Sequence, residues 1–452
     1  MASTYLTRTF GSPTNNYKWT FSAWIKKCGI TEDQYIFQTY PSGEGYMRIY
    51  FEAGDTLKFD GEDTSQSNAF GYRTTRLFRD PNAWYHLVVK WDVTQGTAGD
   101  RAKIYINGVQ ETSFSSSTNP AQNTTYPINR NKLHNLARHS SATDTYFNGV
   151  MSHINFIDGT AYDASTFGST DSTTGEWKIN TSPSVTYGNN GFLILEDGNT
   201  ITDQSPNSNN WTLANGTLTK TEDCPSNIFC TLNPLGLNND VTFGTGNNNA
   251  VYGTSGTRSI VMGTLGANSG KYYWEIEIQG TSNANNGVLG VSMSDWETGY
   301  SVAGETNQSW GFKGYDGAVQ NNNSSVGGTW ATFTNGDIIG VAINLDNEQG
   351  GLNKLYFSKN GTWLNGADPS NHSATTGVVG ITKPENGNTG FYFPVVSDAG
   401  SSATPKFKCN FGNGYFGTTA VSSAGSNASG IGIFEYDVPT GFTALSTKGL
   451  NE

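Results

Sequence analysis

The stretch "WYHLVVKWDVTQGTAGDRAKIYINGVQ", Trp84–Gln110, consists of two alternating runs separated by the polar loop "DVTQGTAGD". Successive side chains of a strand point to opposite faces, so a half-buried strand alternates between apolar and polar residues. Asn107-Gly108 follows the second run and is typical of a type I′ hairpin turn, in which both central residues need positive φ. The stretch therefore predicts two strands, a connecting loop and a hairpin. Each strand has one apolar face: Tyr85, Leu87, Val89 and Trp91, then Ala102, Ile104 and Ile106.

The same pattern recurs at 336–363, in "GDIIGVAINLDNEQGGLNKLYFSKNGTW". An apolar run ends at Asp346, a Gly-rich polar loop follows, and "KLYFS" leads into Asn360-Gly361. The surrounding residues differ, so this is not a short tandem repeat. We interpret the recurrence as two separate domains that use the same strand–loop–strand–hairpin construction.

Composition supports an all-β fold with little or no helix. Charged residues make up 14% of the 452-residue chain and glycines number 55, whereas helices favour Ala, Leu, Glu and Lys. Aromatic residues reach 13%, which argues against a disordered chain. The fold class we predict is two antiparallel β-sandwich (jelly-roll) domains joined by a polar linker.

The predicted domains are residues 1–215 and 251–416, with a connecting segment at 216–250 and a Gly-rich C-terminal segment at 417–452. Part of that last segment, "VSSAGSNASGIGIF", is small and Gly-rich, which predicts a flexible loop or an extended tail.

The charge distribution and the cysteine spacing indicate which binding partners and which cellular compartment to expect. The formal net charge is −12, and residues 1–165 contain 15 basic and 15 acidic residues, so the negative charge lies in the remainder. An acidic half repels phosphate backbones, so we expect no nucleic-acid binding. The four cysteines have no C-x-x-C spacing, which suits synthesis in a reducing cytoplasm. We also expect no signal peptide and no membrane insertion.

Several stretches resemble domains of known families. "WTFSAWIKK", "LFRDPNAWYHLVVKWD", "RAKIYINGVQ" and "FNGVMSHINFIDGTAYDASTFG" resemble the concanavalin A-like, laminin G-type domain of structural proteins from marine tailed phages, over about residues 1–215. "SGKYYWEIEI", "GVLGVSMSD", "GDIIGVAINLD", "LYFSKNGTW" and "PKFKCNFG" resemble a SPRY domain, over about residues 250–412. The closing "FEYDVPTGFTALSTKGL" is similar to the last segment of the same phage proteins.

This resemblance implies a non-enzymatic protein of the virion surface, synthesised in the host cytoplasm. It would be a head or tail knob, a capsid decoration or a fibre component, and the chain shows no N-terminal coiled coil of the kind that anchors a tail fibre. Its implied partners are capsid or tail proteins and further copies of itself in a homo-oligomer. A lectin-like role in host recognition, by binding host-surface polysaccharide, is also implied.

The aromatic loops of the second domain are the predicted recognition surface. "SDWETGYS", "NQSWGFKGYDGAV" and "GGTWATF" place aromatic rings near Asp, Asn and Gly, a combination that suits stacking against sugar rings and hydrogen bonding to their hydroxyls. The candidate glycan- or partner-binding residues are Trp296, Tyr300, Trp310, Tyr315 and Trp330. The alternative is that Trp310 and Phe312 lie in a core strand and that about half of these aromatic residues are buried.

Other motifs allow a metal-binding or a catalytic interpretation. Alternating oxygen side chains in "DQSPNSNN", with Asp203 and Asn207, fit a structural turn or a calcium site, and the loop between Asp92 and Asp100 is a second calcium candidate. We expect no other cofactor. Glu275 and Glu277 share a strand face, as the acids of sandwich-fold glycosidases do, so a polysaccharide depolymerase is one alternative function. An intracellular SPRY-type adaptor is the other.

Overall fold

The computed structural model describes two compact units. Unit 1 comprises Met1–Lys220 with Cys224–Ser226, and unit 2 comprises Thr221–Asp223 with Asn227–Glu452. The residues that the structure describes are 3–140, 145–196, 198–236, 240–253, 258–280, 286–293, 302–346, 352–399 and 404–451. Within them every regular element is a strand or a short 3-10 turn, which confirms the predicted all-β fold. No helix in these ranges is long and apolar enough to cross a membrane.

Unit 1 contains two main antiparallel sheets, and its strands are numbered along the whole chain. Sheet A has the order β10 (Phe114–Thr118), β6 (Ala69–Leu77), β5 (Thr56–Glu62), β4 (Met47–Phe51), β3 (Gln34–Thr39), β11 (Leu133–Leu136), β1 (Tyr5–Thr9) and β16 (Thr212–Asn215). Sheet B has the order β15 (Phe192–Ile194), β12 (Gly149–Asp158), β2 (Lys18–Lys27), β7 (Trp84–Asp92), β8 (Ala102–Ile106) and β9 (Val109–Gln110). A separate hairpin pairs β13 (Gly168–Thr170) with β14 (Trp177–Ile179).

The stretch Trp84–Gln110 forms β7, β8 and β9 of sheet B. Its apolar faces enter the core of unit 1, where the Trp91 ring stacks on Trp19 with centroids 5.6 Å apart. Asn107 and Gly108 have φ of 49° and 78°, so the predicted turn with two positive φ values is confirmed. The same is true of Asn360 and Gly361, with φ of 49° and 79°. Local alternation and turn chemistry were therefore sufficient to predict these elements.

Unit 2 also contains two main sheets. Sheet C has the order β17 (Val241–Gly244), β18 (Asn249–Tyr252), β30 (Pro405–Asn410), β20 (Lys271–Gly280), β25 (Ile338–Asn344), β26 (Asn353–Lys359) and β27 (Thr362–Trp363), with β28 (Val379–Ile381) beside β26 and β33 (Thr443–Ala444) parallel to β20. Sheet D has the order β19 (Ile260–Met262), β29 (Phe393–Asp398), β21 (Gly287–Ser292), β22 (Ser309–Lys313), β23 (Ala318–Asn321) and β24 (Ser324–Thr329). A short hairpin pairs β31 (Tyr415–Phe416) with β32 (Thr419–Ala420).

The main core of unit 2 combines side chains from both of its sheets, among them Trp274 and Phe357 of sheet C and Phe312 of sheet D. A second hydrophobic cluster contains side chains of sheet C that do not belong to the main core. In it, Tyr273 and Tyr356 pack with residues from far along the chain, namely Phe229, Ile431, Phe434, Val438 and Phe442.

Residues 421–447, which we name the C-terminal strap, supply half of the buried residues of that second cluster. The Cys230 N–H donates to the Leu445 carbonyl at 2.9 Å, and the Thr447 N–H donates to the Ile228 carbonyl at 2.8 Å, so both ends of unit 2 are hydrogen-bonded together.

The prediction of a flexible loop or an extended tail concerned 421–434. Ile431 and Phe434 of that stretch are buried in the second cluster, so the prediction is wrong at its end, whereas 421–430 has no strand and no buried residue and the prediction stays open there. The few apolar residues of the strap pack against one side of sheet C. Their spacing along the sequence is irregular and matches neither the strand period nor the helix period.

Candidate binding surfaces

The aromatic residues predicted to bind glycan in unit 2 occupy different environments. Trp296 and Tyr300 lie outside the described residues. Trp310 and Trp330 are each 3% exposed and belong to the main core, so they cannot stack against a sugar from solvent. The expectation is wrong for these two residues because β22 directs Trp310 inward and because Trp330 packs against Phe357, with ring centroids 6.1 Å apart.

Tyr315 is the described candidate that reaches solvent. Its side chain is 46% exposed, and Lys313 Nζ lies 5.0 Å from the ring centroid. Lys313 also forms an ion pair with Asp316 at 3.1 Å. Binding of a glycan or partner at Tyr315 stays a prediction.

Glu275 is fully buried on β20 and does not share an open cleft with Glu277. Its carboxylate accepts hydrogen bonds from the backbone N–H groups of Glu435 and Tyr436, both at 2.8 Å, and from the Tyr273 hydroxyl at 3.0 Å. Burial raises the pKa of Glu275 to about 7, although these hydrogen bonds act to lower it. The side chain therefore anchors the C-terminal strap to sheet C and has no access to a polysaccharide.

Glu277 has a separate structural environment. Its Oε2 lies 3.1 Å from Lys408 Nζ, and its Oε1 accepts a hydrogen bond from Gln279 at 2.7 Å. The two carboxyl groups are thus held by different partners, which gives the depolymerase alternative no geometric support.

The side chains of the calcium candidates form hydrogen bonds or ion pairs with other groups of the protein. The Asp203 carboxylate accepts hydrogen bonds from the backbone N–H groups of Leu193, Ser205 and Asn209, at 2.9, 2.9 and 2.7 Å. The Asn207 amide donates to the Gly191 carbonyl at 3.0 Å. This is the arrangement of a structural turn, which was the competing interpretation of the motif.

The second calcium candidate is the loop between β7 and β8. Asp92 accepts hydrogen bonds from Thr94 and Gln95 and forms an ion pair with Lys18 at 3.2 Å, while Asp100 pairs with Lys103 at 2.9 Å. Among the described residues, no group of three or more His, Cys, Asp or Glu side chains is arranged to hold a metal ion.

A serine–histidine contact in sheet B resembles a catalytic pair but lacks its chemistry. Ser22 Oγ lies 2.9 Å from His86 Nε2, and Trp177 Nε1–H donates to His86 Nδ1 at 3.0 Å. Because Nδ1 accepts, the neutral ring carries its proton on Nε2, and that nitrogen cannot take a proton from serine. Burial lowers the pKa of His86 to about 3. The contact is structural.

The side of sheet A that faces away from the core of unit 1 carries a cluster of aromatic and charged side chains. The ladder that faces away from the core runs through Tyr35, Tyr50 and Lys58, which are direct cross-strand partners on β3, β4 and β5. The Tyr35 and Tyr50 rings are each only 5% exposed, because His139 and Arg48 pack against them. The neighbouring ladder runs through Gln38, Arg48 and Asp60 on the same strands. We name this surface the tyrosine–arginine face and define it by Tyr5, Tyr35, Tyr40, Tyr46, Arg48, Tyr50, Arg138 and Tyr146.

Arg48 organises the centre of the tyrosine–arginine face. Its Nε donates to Asp60 Oδ1 at 3.0 Å and its terminal nitrogen donates to Asp60 Oδ2 at 2.7 Å, a two-pronged contact that fixes the guanidinium plane. The guanidinium lies 4.3 Å from the Tyr46 ring centroid and 5.1 Å from that of Tyr50. Tyr50 in turn stacks in parallel on Tyr35, with centroids 4.6 Å apart.

The edges of the tyrosine–arginine face are open to solvent. Tyr40 is 47% exposed and its ring centroid lies 5.6 Å from that of Tyr46. Arg138 lies 4.5 Å from the ring centroid of Tyr5 and is half-buried. Rigid tyrosines and arginines are the residues most enriched at the energetic centres of protein interfaces. This arrangement suits contact with another macromolecule.

Sequence reasoning did not identify this face. The signal was present, since "QYIFQT" and "MRIYF" place Tyr35, Arg48 and Tyr50 opposite the core residues. Alternation alone does not reveal that the outward residues of three strands lie side by side, because that depends on strand order and register.

Comparison with known proteins agrees with the two-unit structure. Residues 2–165 match the family model described as the concanavalin A-like lectin/glucanases superfamily, and residues 271–401 match the SPRY domain. No curated protein matches the chain.

Among solved structures, the SPRY domain of human HERC1 is 20% identical, with coverage of 38% of this chain and 92% of that chain and a TM-score of 0.28. A heptameric SAP-like pentraxin from Limulus polyphemus is 15% identical, with coverage of 43% and 90% and a TM-score of 0.29. On the family matches, the chain contains a concanavalin A-like domain in unit 1 and a SPRY domain in unit 2.

Proposed function

We propose that the protein is a non-enzymatic surface protein of a tailed-phage virion, a head or tail knob, a capsid decoration or a fibre component, which is made in the host cytoplasm. The lectin-like and SPRY matches support a binding role. The resemblance of the sequence to structural proteins of marine tailed phages supports the virion as its location.

The tyrosine–arginine face carries the proposal of attachment. It would bind another virion protein of the capsid or tail, with the protein assembled as a homo-oligomer. The Arg48–Asp60 contact and the Tyr35–Tyr50 stack hold the side chains in one conformation before binding, which reduces the entropy that association costs. Tyr40 and Tyr46 provide the accessible contact area.

Unit 2 would have a separate role in host recognition, by binding host-surface polysaccharide. Exposed Tyr315 supports this role.

Incorporation into virions tests the attachment proposal. Phage lacking the gene would be complemented with the wild type or with Tyr40→Ala plus Tyr46→Ala, and the protein in purified virions would be quantified by mass spectrometry. We expect wild-type protein in virions and at least a tenfold loss of the double variant. Tyr40 is 47% exposed and Tyr46 is half-buried, so the folded state should survive, as circular dichroism would verify.

A matched control is Leu352→Ala plus Phe391→Ala, two apolar side chains of unit 2 that are 55% and 41% exposed. This variant should be incorporated at the wild-type level. Absence of the wild-type protein from virions would contradict the proposed location, and equal incorporation of both double variants would contradict attachment through the tyrosine–arginine face.

A further inference from the structure

Arg138, on the tyrosine–arginine face, differs from every other arginine of the chain. Its guanidinium forms no hydrogen bond and no ion pair with any residue that the structure describes. The remaining arginines all donate to oxygens of the protein. A carboxylate pairs with each of Arg48, Arg73, Arg76, Arg79, Arg130 and Arg258, and carbonyl or amide oxygens accept from Arg8 and Arg101. The donors of Arg138 are therefore available to a partner.

Two tyrosine rings hold the Arg138 guanidinium. It lies 4.5 Å from the ring centroid of Tyr5 and 5.9 Å from that of Tyr146, and the two centroids are 6.0 Å apart. A guanidinium over an aromatic ring interacts through its charge and its flat face, so the N–H donors in its plane stay free for another contact. Nε is buried, whereas the two terminal nitrogens, which have no partner either, are open to solvent.

The backbone at Arg138 is fixed before a partner binds. Arg138 and Tyr146 are antiparallel bridge partners, and the Gln38 side chain donates to the Arg138 carbonyl at 3.0 Å. The preceding Ala137 has a φ of 67°, and its N–H and carbonyl are both hydrogen-bonded to backbone groups. A left-handed alanine persists only where the surrounding structure imposes it, and such strain is concentrated at functional sites. A partner therefore meets a guanidinium whose position is already set, which reduces the entropy that association costs.

We propose that Arg138 binds a carboxylate, from an Asp or Glu side chain, of the virion protein to which the tyrosine–arginine face attaches. A carboxylate is the anion that a protein partner offers, and its two oxygens match the two terminal nitrogens of a guanidinium. Arg48 cannot take this role, because Asp60 already occupies its donors. The rings of Tyr5 and Tyr146 would exclude water from the contact, which strengthens it. This inference rests on the proposed attachment and adds the chemistry of the partner.

Rebinding of the purified full chain to virions of phage that lack the gene tests the inference. Arg138→Gln, which removes the charge, should weaken binding at least about tenfold. Arg138→Lys, which keeps the charge but loses the paired donors, should weaken it about threefold. Thermal unfolding would verify that both variants are folded. The control is Arg258→Gln, on a side chain of unit 2 that is 52% exposed, and it should bind as the wild type does.

Chemical amidation of the same virions identifies the partner group. Treatment with a water-soluble carbodiimide and glycinamide converts accessible carboxylates to neutral amides. It should lower wild-type binding to the level of Arg138→Gln and leave binding of Arg138→Gln nearly unchanged. The inference is overturned if Arg138→Gln binds as tightly as the wild type, or if amidation weakens both proteins equally. Binding that depends on Arg138 but is insensitive to amidation would assign a phosphate or sulfate group and overturn the carboxylate.

The two proposals fail in different ways. Wild-type protein that does not bind the virions at all would contradict attachment to the virion, and the inference about Arg138 would fall with it. Wild-type binding that survives Arg138→Gln but is lost in Tyr40→Ala plus Tyr46→Ala would contradict only the inference about Arg138.

Discussion

At the scale of single residues, Glu275 makes stability depend on pH. Its pKa is raised by burial from 4.5 to about 7, so between these values the folded chain holds a proton that the unfolded chain has released. The free energy of unfolding of unit 2 should therefore fall as the pH rises through this window, by at most about 3 kcal/mol. Glu275→Gln should remove most of that fall. Thermal unfolding at pH 5 and pH 8 would measure it.

Glu385→Gln is the control for this prediction, because the Glu385 side chain is 68% exposed. It should retain the wild-type difference between the two pH values. The interpretation of Glu275 fails if Glu275→Gln shows that same difference.

Arg48 gives a second prediction at this scale. Arg48→Lys keeps the charge but loses the two-pronged contact with Asp60 and the planar stack between tyrosines, so it should destabilise unit 1 by about 1–2 kcal/mol. Arg76→Lys, on a side chain that is 47% exposed and pairs with Glu111, should change stability by less than about 0.5 kcal/mol. Urea denaturation compares the two, and equal effects would contradict the prediction.

At the scale of elements, the two Asn-Gly hairpins use the same contacts. The Asn107 side-chain oxygen accepts the His86 N–H at 2.7 Å, and the Asn360 side-chain oxygen accepts the Ile338 N–H at 2.8 Å. The two domains therefore share this turn chemistry although they match different families. Each asparagine adopts positive φ and also satisfies a backbone donor of the adjacent strand.

The glycine of the second hairpin yields an element-scale prediction. A Cβ at Gly361 would lie 2.5 Å from a ring carbon of Tyr436, whereas a Cβ at Gly336 would meet nothing within 4 Å; both residues have positive φ, of 79° and 88°. Gly336→Ala should cost about 1 kcal/mol from backbone strain alone. Gly361→Ala should cost at least about 1 kcal/mol more, because the C-terminal strap must shift. The urea concentrations at the unfolding midpoints of the two variants would show which substitution destabilises the protein more. A lower midpoint for Gly336→Ala than for Gly361→Ala would refute the prediction.

At the scale of the whole molecule, each unit has its own core, and the two core clusters share no residue. Residues 1–226 and 227–452, expressed separately, should each unfold in one cooperative transition. Calorimetry and the dispersion of amide NMR signals would measure this. A piece that shows no cooperative transition would contradict the division into two units.

The strands and hairpins were predictable because their signals are local. Alternation over five to ten residues and an Asn-Gly pair depend on strand geometry and on φ, which neighbouring residues determine. The same signals left open whether Trp310 lies in a core strand or in a binding loop, and they did not decide that Trp310 and Trp330 are buried. Both stretches are Gly-rich and polar, which is typical of loops, and only the packing of the two sheets of unit 2 places their rings in the core.

The sequence by itself determined the all-β class, the two-domain organisation and the position of the hairpins. Only the tertiary structure decided the environments of functional interest. The hydrogen-bond partners of Glu275 on Asn410, Glu435 and Tyr436 lie 135 to 161 residues further along the chain. The tyrosine–arginine face likewise combines residues that are distant in sequence. Strand order and register create such contacts, and no local period of the sequence encodes them.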